Sequence, residues 1–455
     1  MSGLRNLQWA ATGKYVRRCF STTRFQHSST GQDIDRNHMK PLEKLSNQTK
    51  QKNKVTPVRY QSSQPKTAGV ASTSTVNRQR YIHPSALETV DLSPLDDMLD
   101  DSVYTRNVEN FVGTVKVPIG MVNVNVNGMH ANGPYAVPLA TTESALVASY
   151  SRGCKLINES GGVNTAVLRK TVQRAPEFVF QNLPDAYKFL QWFNSPDLFP
   201  IMKQVAETTT NHGKLMKIAA NLHGNKVITK WYYESGNASG QNICTFATNA
   251  AIQHILPEAP IQPKVWYLEA ASSQDKKASS GFFNDTRGVY VTGEVVCPKE
   301  VVEQVMKTTV DNISELNQSV LMGQHMQGCV GLTCHTANAL AAVFIACGQD
   351  AACVAESHVG ITEMRKTREG DLRLCITIPS LMIGTVGGGT SLPSQKTCLD
   401  MLQLPKESSR DAFAEVILGV VLGGEVSLTA AMTAHQFSTA HHKYARKGTG
   451  ISNRT

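Results

Sequence analysis

The chain has 455 residues, an ordinary apolar share of 41% and a formal net charge of +9, enough for more than one domain and a substantial core. Residues 1–80 hold 15 Lys/Arg against 3 Asp/Glu, a balance of +12 that leaves −3 for everything after them. The basic character therefore belongs to the leader, and a nucleic-acid-binding reading of the whole protein loses its support.

Within the first 30 residues Arg5, Lys14, Arg17, Arg18 and Arg24 stand without a single acid, and Leu4, Leu7, Ala11 and Tyr15 share one stripe at helical spacing. Arg-rich, Ser-rich, acid-free and amphipathic is the pattern of a mitochondrial transit peptide, with a merely basic tail as the alternative. Arg18-Cys19-Phe20-Ser21 also resembles a matrix-protease cleavage site. Residues 31–84 are Ser, Thr, Gln, Asn and Lys with few apolar side chains, too few to offset the entropy of ordering, so a disordered linker is expected. The ten cysteines form no CxxC pair and have no histidines at zinc spacing, which predicts no metal site and reduced core cysteines at Cys244, Cys297, Cys347 and Cys375. No unbroken apolar run reaches the roughly 18 residues of a membrane helix; the longest candidates lie near Ala337–Ala346 and Val416–Gly424.

Leu92, Leu95, Met98 and Leu99 predict a helix over 85–101, and Val112–Val126 is β-rich, with Asn127-Gly128 as a turn signal. Next comes Ala140–Lys155, ATTESALVASYSRGCK. Thr before a run of helix formers reads as an N-cap that would set Glu143 in the first helical turn. Two readings of that carboxylate follow: an acid complementing the helix dipole, or a buried acid with a raised pKa, able to donate a proton. Beyond the Gly161-Gly162 break, Ala166–Phe180 reads as extended, Leu183–Phe193 as helix and Leu215–Tyr233 as a helix end plus a hairpin around His223-Gly224-Asn225. Ile243–Ile255 then reads as helix and Val265–Ala270 as strand. That order suggests a split βαβ, ferredoxin-like unit over 166–270. From Gly293 the chain reads as long helices (Lys299–Leu321, Thr336–Cys347, Asp411–His435), with a strand at Leu372–Gly384 that ends in Gly387-Gly388-Gly389.

Five segments, in order, carry a resemblance: ENFVGTVKVPIGMVNV (109–124), TTESALVASYSRGCK (141–155), DKK (275–277), CGQDAA (347–352) and GTVGGGT (384–390). Together they resemble the 3-hydroxy-3-methylglutaryl-CoA (HMG-CoA) reductase family, over about 103–446. The resemblance implies an α+β protein. Its large, mainly helical substrate domain (85–165 and 271–455) would be interrupted by a ferredoxin-like cofactor domain (166–270). It also implies NADPH as cofactor, HMG-CoA or a related acyl-CoA as substrate, and a homodimer or homotetramer with active sites across the subunit interface. Eukaryotic family members usually carry a membrane region; a catalytic portion without a transmembrane segment is the expectation here.

The family's roles carry over to Glu143 as proton donor, Lys276 as oxyanion stabiliser and Asp350 as a buried partner of that lysine, with Glu143 close to the pair. A preorganised ammonium at a developing oxyanion is strongly stabilising. His441 matches the histidine that protonates the departing thiolate, a task suited to its near-neutral pKa; His435 and His442 are neighbours. Arg152, Arg174, Lys277 and Asn338 match substrate-binding positions, and Arg174 with Lys277 could clamp a terminal carboxylate. On the cofactor side Asn237, Ser239, Gly240, Gln241 and Asn242 stand in GNASGQN where the family has GDAMGMN, joined by Gly387, Gly388 and Arg446. Departures are several. Gln318 replaces a lysine, Glu269-Ala270-Ala271 replaces Ser-Gly-Asn, Thr210-Asn211-His212 replaces a segment whose arginine holds a 2′-phosphate, and Lys447 stands where a regulatory serine is common. They leave two alternatives: a reductase of another acyl-CoA, or a catalytically weak acyl-CoA-binding paralogue.

Overall fold

The computed structural model describes Tyr104 and residues 107–435. The transit segment, the linker, the expected helix over 85–101, His441, His442 and Arg446 lie outside the described residues.

β1 (Ile119–Gly128) alternates, burying Val122, Val124 and Val126 and turning asparagines outward. It pairs antiparallel with β2 (Asn132–Ala140) and parallel with β3 (Val163–Arg174). The reversal falls at 129–131, not at Asn127-Gly128. There the amides of Met129, His130 and Ala131 all donate to the buried Glu415 carboxylate, at 3.1, 2.9 and 2.7 Å. Between β2 and β3 runs α1 (Leu146–Glu159), which ends at the positive-φ pair Gly161 and Gly162.

β3 ends at Ala175-Pro176, and β4 (Glu177–Val179) resumes along the same edge of a later strand. Next come α2 (Leu183–Phe193), α3 (Leu198–Thr208), the hairpin β5 (Lys214–His223) and β6 (Lys226–Glu234), α4 (Gln241–Ile255) and β7 (Val265–Tyr267). The strand order is β7-β4-β6-β5, antiparallel throughout, with Phe178, Phe180, Phe189, Phe193 and Trp231 in its core. Leu215–Tyr233 is thus wholly hairpin. The helix lies earlier, at α3, where Pro200 stands in the first turn and its missing N–H costs no bond.

Past β7, β8 (Gly288–Cys297) pairs with β3, and β10 (Leu372–Leu381) joins β8 to β9 (Ile361–Lys366). Six strands in the order β2-β1-β3-β8-β10-β9 thus run together and pack against the helices of the chain. The expected helix 299–321 is two helices, α5 (Lys299–Met306) and α6 (Val310–Met326). Lys307 is left-handed, and Thr309 starts the second helix by accepting from the Asn312 amide.

α7 (Thr336–Ala346) and α8 (Pro393–Met401) precede α9 (Ser409–Thr433), the central helix, which packs against α1, α7 and the sheet. Gly153 and Gly423 let α1 and α9 meet backbone to backbone; a Cβ at Gly153 would overlap the Gly423 carbonyl. By length and apolarity α9 could cross a membrane, which the search for unbroken apolar runs missed because Glu415 and Glu425 interrupt it. Both glutamates are buried and bonded inside the protein, and α9 is a core helix here.

Candidate active site

Three loops close on one another beside the N-terminus of α4. Thr385 N–H donates to Asn237 O at 2.9 Å, and Ala238 bridges Val386. Gly384 lies so close to Ser239 that a Cβ would sit 2.4 Å from its amide, and Gly348 meets Gly389 equally tightly. They frame a cleft of about 610 Å³ lined by Ser239, Gly240, Gln241, Asn242, Lys276, Asp350, Gly387, Gly388 and Arg174 among others. Gly387 and Gly388 both have positive φ, and a Cβ on either would project into open space.

Lys276 Nζ meets Asp350 Oδ2 at 2.9 Å, the expected pair, from positions 74 residues apart. The pair is half-exposed (41% and 39%), so Asp350 is not the buried aspartate expected. The hydrogen bond that Lys276 donates to Asp350 raises the Lys276 pKa. Burial alone would raise Asp350, but the hydrogen bond and charge of Lys276 outweigh it and hold the carboxyl below its ordinary range. Both groups therefore stay charged across neutral pH. Ala271, Gln274 and Lys276 all have positive φ, so this loop carries the backbone strain that side chains other than glycine incur there.

Beneath the pair lies an ionic network that sequence reading missed. Arg287 and Glu356 are fully buried and joined by a short hydrogen bond, and Arg287 also reaches Asp275 at 2.8 Å. Burial pushes the Glu356 pKa up against the pull of Arg287. The Lys276 amide donates to Glu356 at 3.4 Å, so this network supports the strained loop from below. Gln241 adds weaker contacts of 3.4–3.5 Å to Asp350, Cys353 and Arg287. Nothing local in DTRGVYV or AACVAES marks Arg287 and Glu356 as partners.

The remaining expected site residues divide. Arg174 lines the cleft but is already paired, with Glu269 at 3.5 Å and Asp275 at 3.4 Å; Glu269 also accepts from the Ala175 amide. Glu269 thus turns to a cation, and Arg174 is no free carboxylate clamp. Lys277 is exposed and donates to Asp275 O, outside that cleft's lining. Asn237 turns away from the cleft: its amide donates to Lys406 O and Glu407 O, and its oxygen accepts from the Arg410 amide. It fastens the loop to the start of α9 rather than facing a cofactor.

Glu143 departs most from expectation. It lies before α1, not in its first turn: Thr141 Oγ1 accepts from the Glu143 amide, and Ala145 at φ 68 precedes the helix without a side-chain cap. The carboxylate is exposed, not buried, and bonds to Asn338 Nδ2 at 3.0 and 3.3 Å, not to Lys276 or Asp350. These two expected site residues thus meet each other in a second concavity of about 440 Å³, walled by Val117, Leu146, Ala341 and Ile345. Arg152, half-buried on α1, donates to Ser427 Oγ at 3.1 Å and to Ser427 O at 2.5 Å.

A family profile described as hydroxymethylglutaryl-coenzyme A reductase matches residues 74–446. The chain belongs to that family. A 3-hydroxy-3-methylglutaryl-coenzyme A reductase of Pyrococcus abyssi is 38% identical over 350 residues, 75% of this chain and 85% of that protein. One of Aeropyrum pernix is 36% identical over 396 residues, 85% and 93% of the two chains. Among solved structures, the class II HMG-CoA reductase of Streptococcus pneumoniae bound to NADPH superposes with a TM-score of 0.57. It is 19% identical, covers 73% of this chain and 89% of that one, and shares the fold. Within the HMG-CoA reductase family, the paired Lys276 and Asp350 belong to an enzyme, as the five ordered motifs imply.

Proposed function

We propose that the protein reduces HMG-CoA to mevalonate and CoA with two NADPH, in the mevalonate route to isoprenoids. The observation that carries this reading is the charged Lys276–Asp350 pair in the glycine-framed cleft. NADPH supplies the hydrides when bound. The cleft fits such a ligand because Gly387 and Gly388 leave open space where side chains would stand, with Ser239 to Asn242 opposite. Lys276 holds positive charge where the substrate oxygen becomes negative, and Asp350 fixes that ammonium in place. Glu143 donates the proton, oriented by Asn338.

Within one chain Glu143 is exposed and unbonded to the Lys276 pair, which favours a homodimer or homotetramer whose active site takes groups from two copies. The strand order β7-β4-β6-β5 supports 166–270 as a ferredoxin-like cofactor domain. Arg446 is assigned to the cofactor and His441 to protonation of the departing thiolate. His441→Gln should cripple thioester reduction yet largely spare reduction of the free aldehyde, mevaldehyde, which expels no thiolate. Equal losses on both substrates, or a larger loss for His442→Gln, would displace that assignment.

The leader is assigned to mitochondrial targeting. A fluorescent protein fused behind residues 1–30 should enter mitochondria, and cytosolic fluorescence would refute it.

A second reading, reduction of another acyl-CoA, is favoured by one observation: Arg174 is already neutralised by Glu269 and Asp275. NADPH oxidation with HMG-CoA, set against acyl-CoAs lacking the distal carboxylate, separates the two. NADH is the companion arm, because Thr210-Asn211-His212 offers no arginine for a 2′-phosphate.

A further inference from the structure

No residue of α9 lines the Lys276 cleft, yet two of its residues hold the segments that bring Glu143 and Asn338 together. Glu425, 1% exposed, accepts from the Cys334 amide at 2.8 Å, the His335 amide at 2.6 Å and Thr336 Oγ1 at 2.8 Å. These three donors open α7, and Asn338 stands in its first turn. Two residues along α9, Ser427 accepts from Arg152 and shares a hydrogen bond with Ser149, both on α1, the helix that follows Glu143. Tyr150 completes the join by donating to His335 O at 2.5 Å and stacking on the His335 ring at 4.7 Å. The Glu143–Asn338 contact is thus closed by two helices whose ends are both tied to Glu425-Val426-Ser427.

We propose that Glu425 is a positioning residue: it fixes the start of α7 so that the Asn338 amide meets the Glu143 carboxylate. This rests on the assignment of Glu143 as proton donor. A carboxylate suits the place because it accepts on both oxygens from three donors at a helix N-terminus. Glutamine keeps the shape but replaces one acceptor with an NH₂ that faces backbone N–H groups, so the first turn of α7 must shift. Misplacement of about 1 Å at a reacting group can cost on the order of a hundredfold in rate.

The test is a double-mutant cycle in the full chain, read as kcat, KM and thermal midpoint with NADPH and HMG-CoA. Glu425→Gln should lower kcat about ten- to a hundredfold with KM little changed. In an Asn338→Ala background the same substitution should lower kcat no further while still lowering the midpoint, because its route to Glu143 is already cut. Additive kcat losses in the two backgrounds would overturn the proposal and leave Glu425 with a purely structural role. Should Glu425→Gln fail to fold, Thr336→Val removes one donor at constant shape and enters the same cycle, with about a threefold loss expected. Glu143→Gln in the wild-type background tests the assignment beneath: turnover there would overturn both, whereas an inactive Glu143→Gln with additive Glu425 losses would overturn the positioning alone.

Discussion

Lys276→Ala is expected to lower kcat by about a hundred- to a thousandfold, the range for removing one preorganised donor at a developing oxyanion. Thioester and mevaldehyde should suffer alike, because each reduction builds negative charge on the carbonyl oxygen. That pattern sets Lys276 apart from His441, whose loss is expected to spare the aldehyde. Lys276→Arg should restore little, since a planar guanidinium cannot occupy the ammonium position 2.9 Å from Asp350. The pKa of Lys276 is raised and that of Asp350 lowered, so the pair remains charged on both sides of neutrality. Its charge is lost only as pH falls through the depressed Asp350 value or rises through the elevated Lys276 value. A limb of the rate profile near neutrality must therefore arise from another group, and Asp350→Asn should lower the rate without moving that limb.

Glu356→Ala should destabilise the fold by about 3–5 kcal/mol, because it leaves the fully buried Arg287 without its closest counter-charge. Asp275, at 2.8 Å, is the remaining acid partner and already serves Arg174. Replacing both members, as Arg287→Met with Glu356→Leu, should recover much of the loss, since no unpaired buried charge then remains. Denaturant unfolding measures both. Activity should fall in the double variant even where stability returns, because the Lys276 amide donates to Glu356. Full activity in a stable double variant would show that the network does not support the catalytic loop.

What the sequence revealed, and what it hid, follows from the range of the interactions. Helices α2, α4, α7 and α9 were legible because apolar spacing and flanking breaks are local, and the hairpin at His223-Gly224-Asn225 announced itself through its turn. Lys276 and Asp350 were found because both stand in short, distinctive motifs. Their mutual contact, however, depends on three loops locked by Gly348, Gly384 and Gly389, which no spacing reports. Glu143 was placed in a helix since Thr141-Thr142 resembles a cap. Thr141 instead closes a tight turn on the Glu143 amide, and Ala145 takes a left-handed conformation that its residue type does not suggest. The orientation of Asn237 was hidden because a motif fixes where a residue stands, not where its side chain turns. Strands β8 and β9 fall between the elements that the sequence marks. The Arg287–Glu356 pair joins residues 69 apart with no shared pattern.

The most direct test of the central claim is the stoichiometry of turnover by the purified protein with HMG-CoA. NADPH consumed and CoA thiol released are followed together, by absorbance and by a thiol reagent. Two NADPH oxidised per thiol released, with both signals lost in Lys276→Ala, is the predicted result. One NADPH per thiol, or thiol release that persists in Lys276→Ala, would contradict a two-step reduction at the Lys276–Asp350 site.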